Sequence, residues 1–137
     1  MWTFLMPSKC PESRPMSTSP DAVTLAVLVR QDLAMSPGKT AAQVAHAAVG
    51  CSLKARKQAA ALFERWRSEH GRIVVLGVDG VDDLDIHRKE AMEHHLVHHA
   101  VTDAGRTEVA PGTVTVLGIG PAQSSVLDVL VGHLQAL

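Results

Sequence analysis

The sequence predicts an α/β sandwich: a small, mostly parallel sheet with helices on both faces. Three observations predict it. Short apolar, β-branched runs alternate with longer helical segments along the chain. Cap and turn residues, such as Ser36-Pro37, Gly71 and Pro111-Gly112, fall between them. The length of 137 residues suits one domain with a real core. A short connection between the third and fourth strands would make the sheet mixed.

Met1 to Asp21 holds Pro7, Pro11, Pro15, Pro20 and several serines, with no sustained period. It reads as a flexible tail ahead of a domain at residues 22–137. Trp2 to Met6 is too short for a secretory signal. Thr24 to Arg30 is the first strand. Ser36, an N-cap, and Pro37, at the first helical position, open a helix to about Leu53. Lys54 to about His70 is a second helix, with Ala59, Leu62, Phe63 and Trp66 on its apolar face and Gly71 as its stop. Arg72 to Val78 is the second strand. Asp79 to about His94 is a third helix, Leu96 to Thr102 the third strand, and Asp103 to Thr113 an ordered loop. Val114 to Ile119 is the fourth strand. Pro121 opens a last helix, lined by Leu127, Leu130, Val131 and Leu134.

Aromatics are few (Trp2, Trp66, Phe4 and Phe63), so the core must be aliphatic. The net charge of −1 hides an asymmetry. From Thr24 to Arg72, eight basic residues stand against three acids, giving +5; from Ile73 onward, three stand against nine, giving −6. A basic half on a near-neutral chain suits one face for a polyanion. Two cysteines, Cys10 and Cys51, do not make a disulfide framework, which indicates a reducing, cytoplasmic compartment. No apolar run approaches the roughly 20 residues of a membrane span.

The chemistry gathers beyond strand ends, where α/β folds collect ligands. Arg30-Gln31-Asp32 follows the first strand, and Asp103-Ala104-Gly105-Arg106-Thr107 the third. Lys39 sits in the first turn of the first helix, where a cation opposes the helix dipole. Beside free backbone N–H groups it makes an anion site. Lys39, Gln43 and His46 form one polar stripe at i, i+4 and i+7. Two nucleotide motifs fail. A phosphate loop ending in Gly38-Lys39-Thr40 would need glycine where Leu33 stands. Gly118-Ile119-Gly120 is followed by Gln123 where a dinucleotide fingerprint has Gly or Ala. His94, His95, His98 and His99 have the spacing of metal ligands on one helix, but they span a helix-to-strand boundary and should scatter.

The run from Val29 to Ala47, with Ser36-Pro37-Gly38-Lys39-Thr40-Ala41-Ala42-Gln43-Val44-Ala45-His46 at its centre, closely resembles the N-terminal signature of the archaeal/eukaryotic-type (type II) peptidyl-tRNA hydrolases. Asp103 to Thr113 resembles their second signature, and Leu117 to Pro121 with Gly132-His133-Leu134 their C-terminal end. The likeness covers about Thr24 to Leu137. It implies hydrolysis of the ester between a peptide, or N-blocked amino acid, and tRNA. It further implies a single domain with a four-stranded mixed sheet, often a homodimer, and no metal or organic cofactor. By the matching motifs, Lys39, Asp103 and Thr107 would be catalytic, and Arg30, Asp32, Gln43, His46, Arg106 and Thr113 would line the site. With tRNA as the polyanion, Lys54, Arg56, Lys57, Arg65 and Arg67 are the expected backbone contacts. Family members often carry Lys where this chain has Leu76, and end the third helix with Gly-Leu where it has His95-Leu96. The first change would weaken one expected contact to RNA; the second bears on the helix end.

Ester hydrolysis needs an aimed water and a stabilised oxyanion. Asp103 could orient the water, Lys39 could stabilise the oxyanion or the 3′-terminal phosphates, and His46 is an alternative base. The competing reading is a non-catalytic tRNA- or protein-binding module on the same fold.

Overall fold

The computed structural model describes residues 22–105 and 108–137; the expected tail at 1–21 lies outside them. The elements are β1 (Val23–Arg30), α1 (Pro37–Gln58), α2 (Ala60–Ser68), β2 (Ile73–Val78), α3 (Val81–Glu93), β3 (His98–Thr102), β4 (Val114–Gln123) and α4 (Ser124–Val131). The strands form one sheet in the order β2-β1-β4-β3. β1 pairs parallel with β2 and antiparallel with β4, which pairs antiparallel with β3. The sheet is therefore mixed, with a smaller parallel share than expected. The β3–β4 connection is too short for a crossover, so it must reverse the chain.

Alternation along β1 splits the core between the two faces. Val23, Leu25, Val27 and Val29 pack with Ala47 and Cys51 of α1 and Trp66 of α2. Ala26 and Leu28 pack with Leu84 and Ala91 of α3 and Leu127, Leu130 and Val131 of α4. Helices thus cover both faces, and β1 is buried almost throughout because it lies between two strands and two helical layers.

Three boundaries differ from the sequence reading, and the C-terminus adds a pairing it did not contain. α1 runs on to Gln58 and breaks at Ala59, where φ −148° and ψ 58° interrupt the helix without a glycine or proline. β3 joins the ladder only at His98, because Leu96 and Val97 turn inward to the core. Pro121 does not open the last helix but sits inside β4, after a cis Gly120–Pro121 peptide. Thr24 pairs with Ala122 and Ala26 with Ile119, so Leu25 alone faces Gly120 and Pro121. In that bulge the missing proline N–H costs no ladder bond. Gly120 is at φ 116°, and a Cβ there would lie 2.9 Å from the Thr24 carbonyl oxygen. Finally, the C-terminus returns to the outer edge of β2. Gly77 donates to the Gln135 carbonyl and Leu137 to that of Val75, both at 2.9 Å. This covers an edge that would otherwise stand open.

α3 ends in a Schellman motif, with Leu96 N–H donating to Ala91 O and His95 N–H to Met92 O. His95 takes the left-handed position at φ 56°, where glycine is usual. The helix end therefore survives the His95-Leu96 departure. Leu76 is 1% exposed and packed in the core, so it faces no RNA whatever the family carries there.

Candidate active site

α1 starts as Ser36 and Pro37 dictate. Ser36 is extended (φ −61°, ψ 159°), and its Oγ accepts from the Lys39 N–H at 3.2 Å. No acid occupies the first turn of α1. Glu108 supplies one from the β3–β4 loop, accepting from the Ser36 N–H at 2.8 Å and from the Ser36 hydroxyl. These bonds, with a smaller contribution from the Lys39 charge, hold the Glu108 carboxyl below the usual carboxylate range. Sequence reasoning missed Glu108. Its one available signal was position, directly after the Asp103 to Thr107 run.

The anchored loop delivers Asp103 to Lys39. The Lys39 ammonium pairs with Asp103 Oδ1, with side chains 11% and 2% exposed respectively. Asp103 Oδ2 accepts from the Gly105 N–H at 2.6 Å. Its backbone is fixed as well, donating to Thr113 O at 2.8 Å and accepting from the Gly112 N–H at 3.0 Å. Gly105 is at φ 83°, and a Cβ there would overlap the Pro111 ring, so this turn requires glycine. The result is a desolvated ion pair held from both sides, in which each charge sustains the other.

The pair opens onto a cleft of about 720 Å³ between α1 and β3. Lys39, Gln43, His46 and Asp103 line it together, so the sequence-derived stripe and the loop aspartate meet. Gln43 is buried and donates to Thr115 Oγ1 at 2.7 Å, tying the cleft wall to β4. Thr113 adjoins through its backbone bond to Asp103. Arg106 and Thr107 lie outside the described residues. Arg30 and Asp32 form a two-toothed pair at 3.0 and 2.7 Å. Arg30 lines a different groove, on the far flank of α1, of about 770 Å³ and mostly apolar.

The expected polyanion contacts divide into two sets. Leu53, Lys54, Arg56 and Lys57 line a groove that joins the cleft through Leu53. Lys54 donates to the His98 carbonyl at 2.9 Å, while Arg56 and Lys57 are exposed. On α2, Arg65 pairs with Glu69 at 3.4 Å and Arg67 with Glu64 at 2.9 Å. The four histidines part: His94 and His95 end α3, and His98 and His99 begin β3. His99 lines the cleft, which the sequence reading did not anticipate.

The family model described as "Peptidyl-tRNA hydrolase PTH2" matches residues 23–137. A peptidyl-tRNA hydrolase of Thermoplasma volcanium is 43% identical over 115 residues, covering 84% of this chain and 98% of the relative. That of Thermoplasma acidophilum is 38% identical, covering 82% and 97%. That of Sulfurisphaera tokodaii is 38% identical, covering 85% and 99%. On the family match and these relatives together, the chain belongs to the PTH2 family of peptidyl-tRNA hydrolases.

Proposed function

We propose that this protein hydrolyses the ester between a peptide, or N-blocked amino acid, and the terminal ribose of tRNA, returning the tRNA from stalled translation. The observation that carries the reading is the buried Lys39–Asp103 pair, which opens onto a cleft with a basic far end. A polyanionic substrate held along Lys54, Arg56 and Lys57 brings its ester to that pair.

In this reading, water attacks the ester carbonyl carbon, the bond from that carbon to the ribose oxygen breaks, and a proton passes to the departing ribose oxygen. Asp103 orients the water and takes its proton. Lys39, at the positive end of α1, stabilises the negative charge that develops on the carbonyl oxygen. The α1 dipole and the ammonium act in the same sense there, which gives the unfavourable placement of Lys39 a purpose. By the family's motifs Thr107 is the third catalytic residue, and Arg106, Thr113, Gln43, His46, Arg30 and Asp32 bind substrate. The enzyme is read as cytoplasmic and homodimeric, with the tail at 1–21 dispensable to the domain at 22–137. No described helix is long and apolar enough to cross a membrane.

The test is hydrolysis of N-acetyl-aminoacyl-tRNA to the N-acetyl-amino acid and tRNA, with free aminoacyl-tRNA as control. Hydrolysis of the blocked substrate that survives chelators is the expected result. Binding without turnover would leave only a tRNA-binding module.

A further inference from the structure

Gly50 sits in the middle of α1, where glycine costs about 1 kcal/mol relative to alanine. Its place is explained by His99. A Cβ at position 50 would overlap the imidazole ring at Cδ2, Cγ and Nε2, so glycine lets the ring lie flat against the helix. His99 Nδ1 is buried with no hydrogen-bond partner among the described residues, so hydrogen bonding to the protein does not hold this ring.

The ring lines the same cleft as Lys39 and Asp103. Val49 and Leu53, both more than half exposed, flank it on α1. Beyond Leu53 the groove turns basic with Lys54, Arg56 and Lys57. His46 and His99 are the only ring side chains lining the cleft among the described residues. Burial first, then the Lys54 charge and His98, push the His99 pKa down, so the ring stays neutral beside the phosphate-binding end.

We propose that His99, seated on Gly50 and flanked by Val49 and Leu53, is a stacking platform for an unpaired base of the tRNA 3′ end. This rests on the proposed hydrolase reading and assigns one arm of its substrate. His99 stands in β3 four residues before Asp103, which follows the strand end, so at most about 13 Å of chain separates them. The base lies accordingly just upstream of the nucleotide that carries the ester. Single-stranded RNA is held this way, by aromatic or imidazole faces with cations on the backbone. Base stacking does not depend on salt as the phosphate contacts do.

The experiment compares wild type, His99→Ala and His99→Phe in hydrolysis of N-acetyl-aminoacyl-tRNA at low and high salt. His99→Ala should raise KM roughly 5- to 150-fold, the factor matching about 1–3 kcal/mol per stacked base, with kcat little changed. That factor should be the same at both salt concentrations. His99→Phe keeps the flat face, drops the unpartnered nitrogen and should restore KM. Independently, the trinucleotide CCA titrated into wild type should shift the His99 ring protons by NMR, a readout that needs no variant to fold. An unchanged KM in His99→Ala, failure of His99→Phe to rescue it, or unmoved His99 protons each overturns the platform. If wild type does not release the ester at all, the hydrolase reading fails instead, and the NMR titration alone judges the platform.

Discussion

The ammonium of Lys39 and the carboxylate of Asp103 stand 64 positions apart in sequence and meet as a buried pair under the N-terminus of α1. In the proposed hydrolysis each is both a reagent and a counter-ion. Asp103→Asn keeps the shape and the Gly105 contact while removing the charge. It should lower kcat by about 10²–10³, or roughly 3–4 kcal/mol of transition-state stabilisation. Lys39→Ala should lose a similar rate, and either change should also destabilise the fold, because it leaves the other charge unpaired in a dry site; breaking a buried pair costs about 3–5 kcal/mol. This reverses what the helix dipole alone suggests, that removing Lys39 relieves the helix. Melting curves beside single-turnover rates separate the two effects. If both variants fold and turn over as wild type does, the catalytic assignment is wrong and His46 is the next base to test.

The basic residues should not contribute equally to tRNA binding. Arg65 and Arg67 already lean on Glu69 and Glu64, whereas Arg56 and Lys57 are exposed beside the cleft. Neutralising Arg56 or Lys57 should weaken binding and lower the slope of log K against log salt by about 1. The same change at Arg65 or Arg67 should do less. Filter binding between about 50 and 200 mM salt measures both slopes.

What was legible in the sequence was local. Ser36-Pro37 marks the start of α1 because capping chemistry is written in two adjacent residues, and the β-branched runs mark the strands for the same reason. Lys39 stands out because it violates a local rule, and violations gather at sites. The missed features are long-range. Pro121 reads as a helix opener until Thr24 and Ala26 are seen to pair around it. The C-terminal bridge to β2, the Glu108 clasp on Ser36 and the seat of His99 on Gly50 each join segments dozens of residues apart. No periodicity records such pairings.

His95 holds a left-handed backbone at the end of α3 without being glycine. A non-glycine residue there bears about 1–2 kcal/mol of strain. His95→Gly should therefore stabilise the protein, by about 0.5–1 kcal/mol once the extra freedom of the unfolded chain is subtracted. Chemical denaturation measures this. A loss of stability would mean that the imidazole makes a contribution beyond the backbone.

The Glu108 clasp should make the loop that carries Asp103 sensitive to acid. Its carboxyl lies below the ordinary value of 4.5 in the folded state. A depressed folded value gives stability that is present above the unfolded value and is lost as pH falls through the folded one. Wild type should therefore exceed Glu108→Gln in stability at neutral pH, with the gap closing below pH 4.5. An equal gap at all pH values would show that the clasp works through shape alone.

Gly118 on β4 and Cys51 on α1 set how closely helix and sheet approach. A Cβ at Gly118 would lie 2.7 Å from Cys51 Sγ and 3.4 Å from Ala47 Cβ. Gly118 is buried and Cys51 fully so, and burial pushes the Cys51 thiol up to about 12, so it stays protonated and behaves as a small apolar group. Gly118→Ala should then cost about 1–3 kcal/mol, the usual penalty for overpacking a tight core. Cys51→Ala alone should also cost stability, by opening a small void. Combined, the new methyl fills the space the sulfur vacated, so the double variant should be more stable than the sum of the two losses predicts. A coupling of about 0.5 kcal/mol or more, favouring the pair, is the expected outcome of the double-mutant cycle. Strict additivity would mean that α1 shifts as a body to admit the methyl. The cleft between α1 and β3 would then widen, and the rate would fall in Gly118→Ala even though no residue lining the cleft has changed.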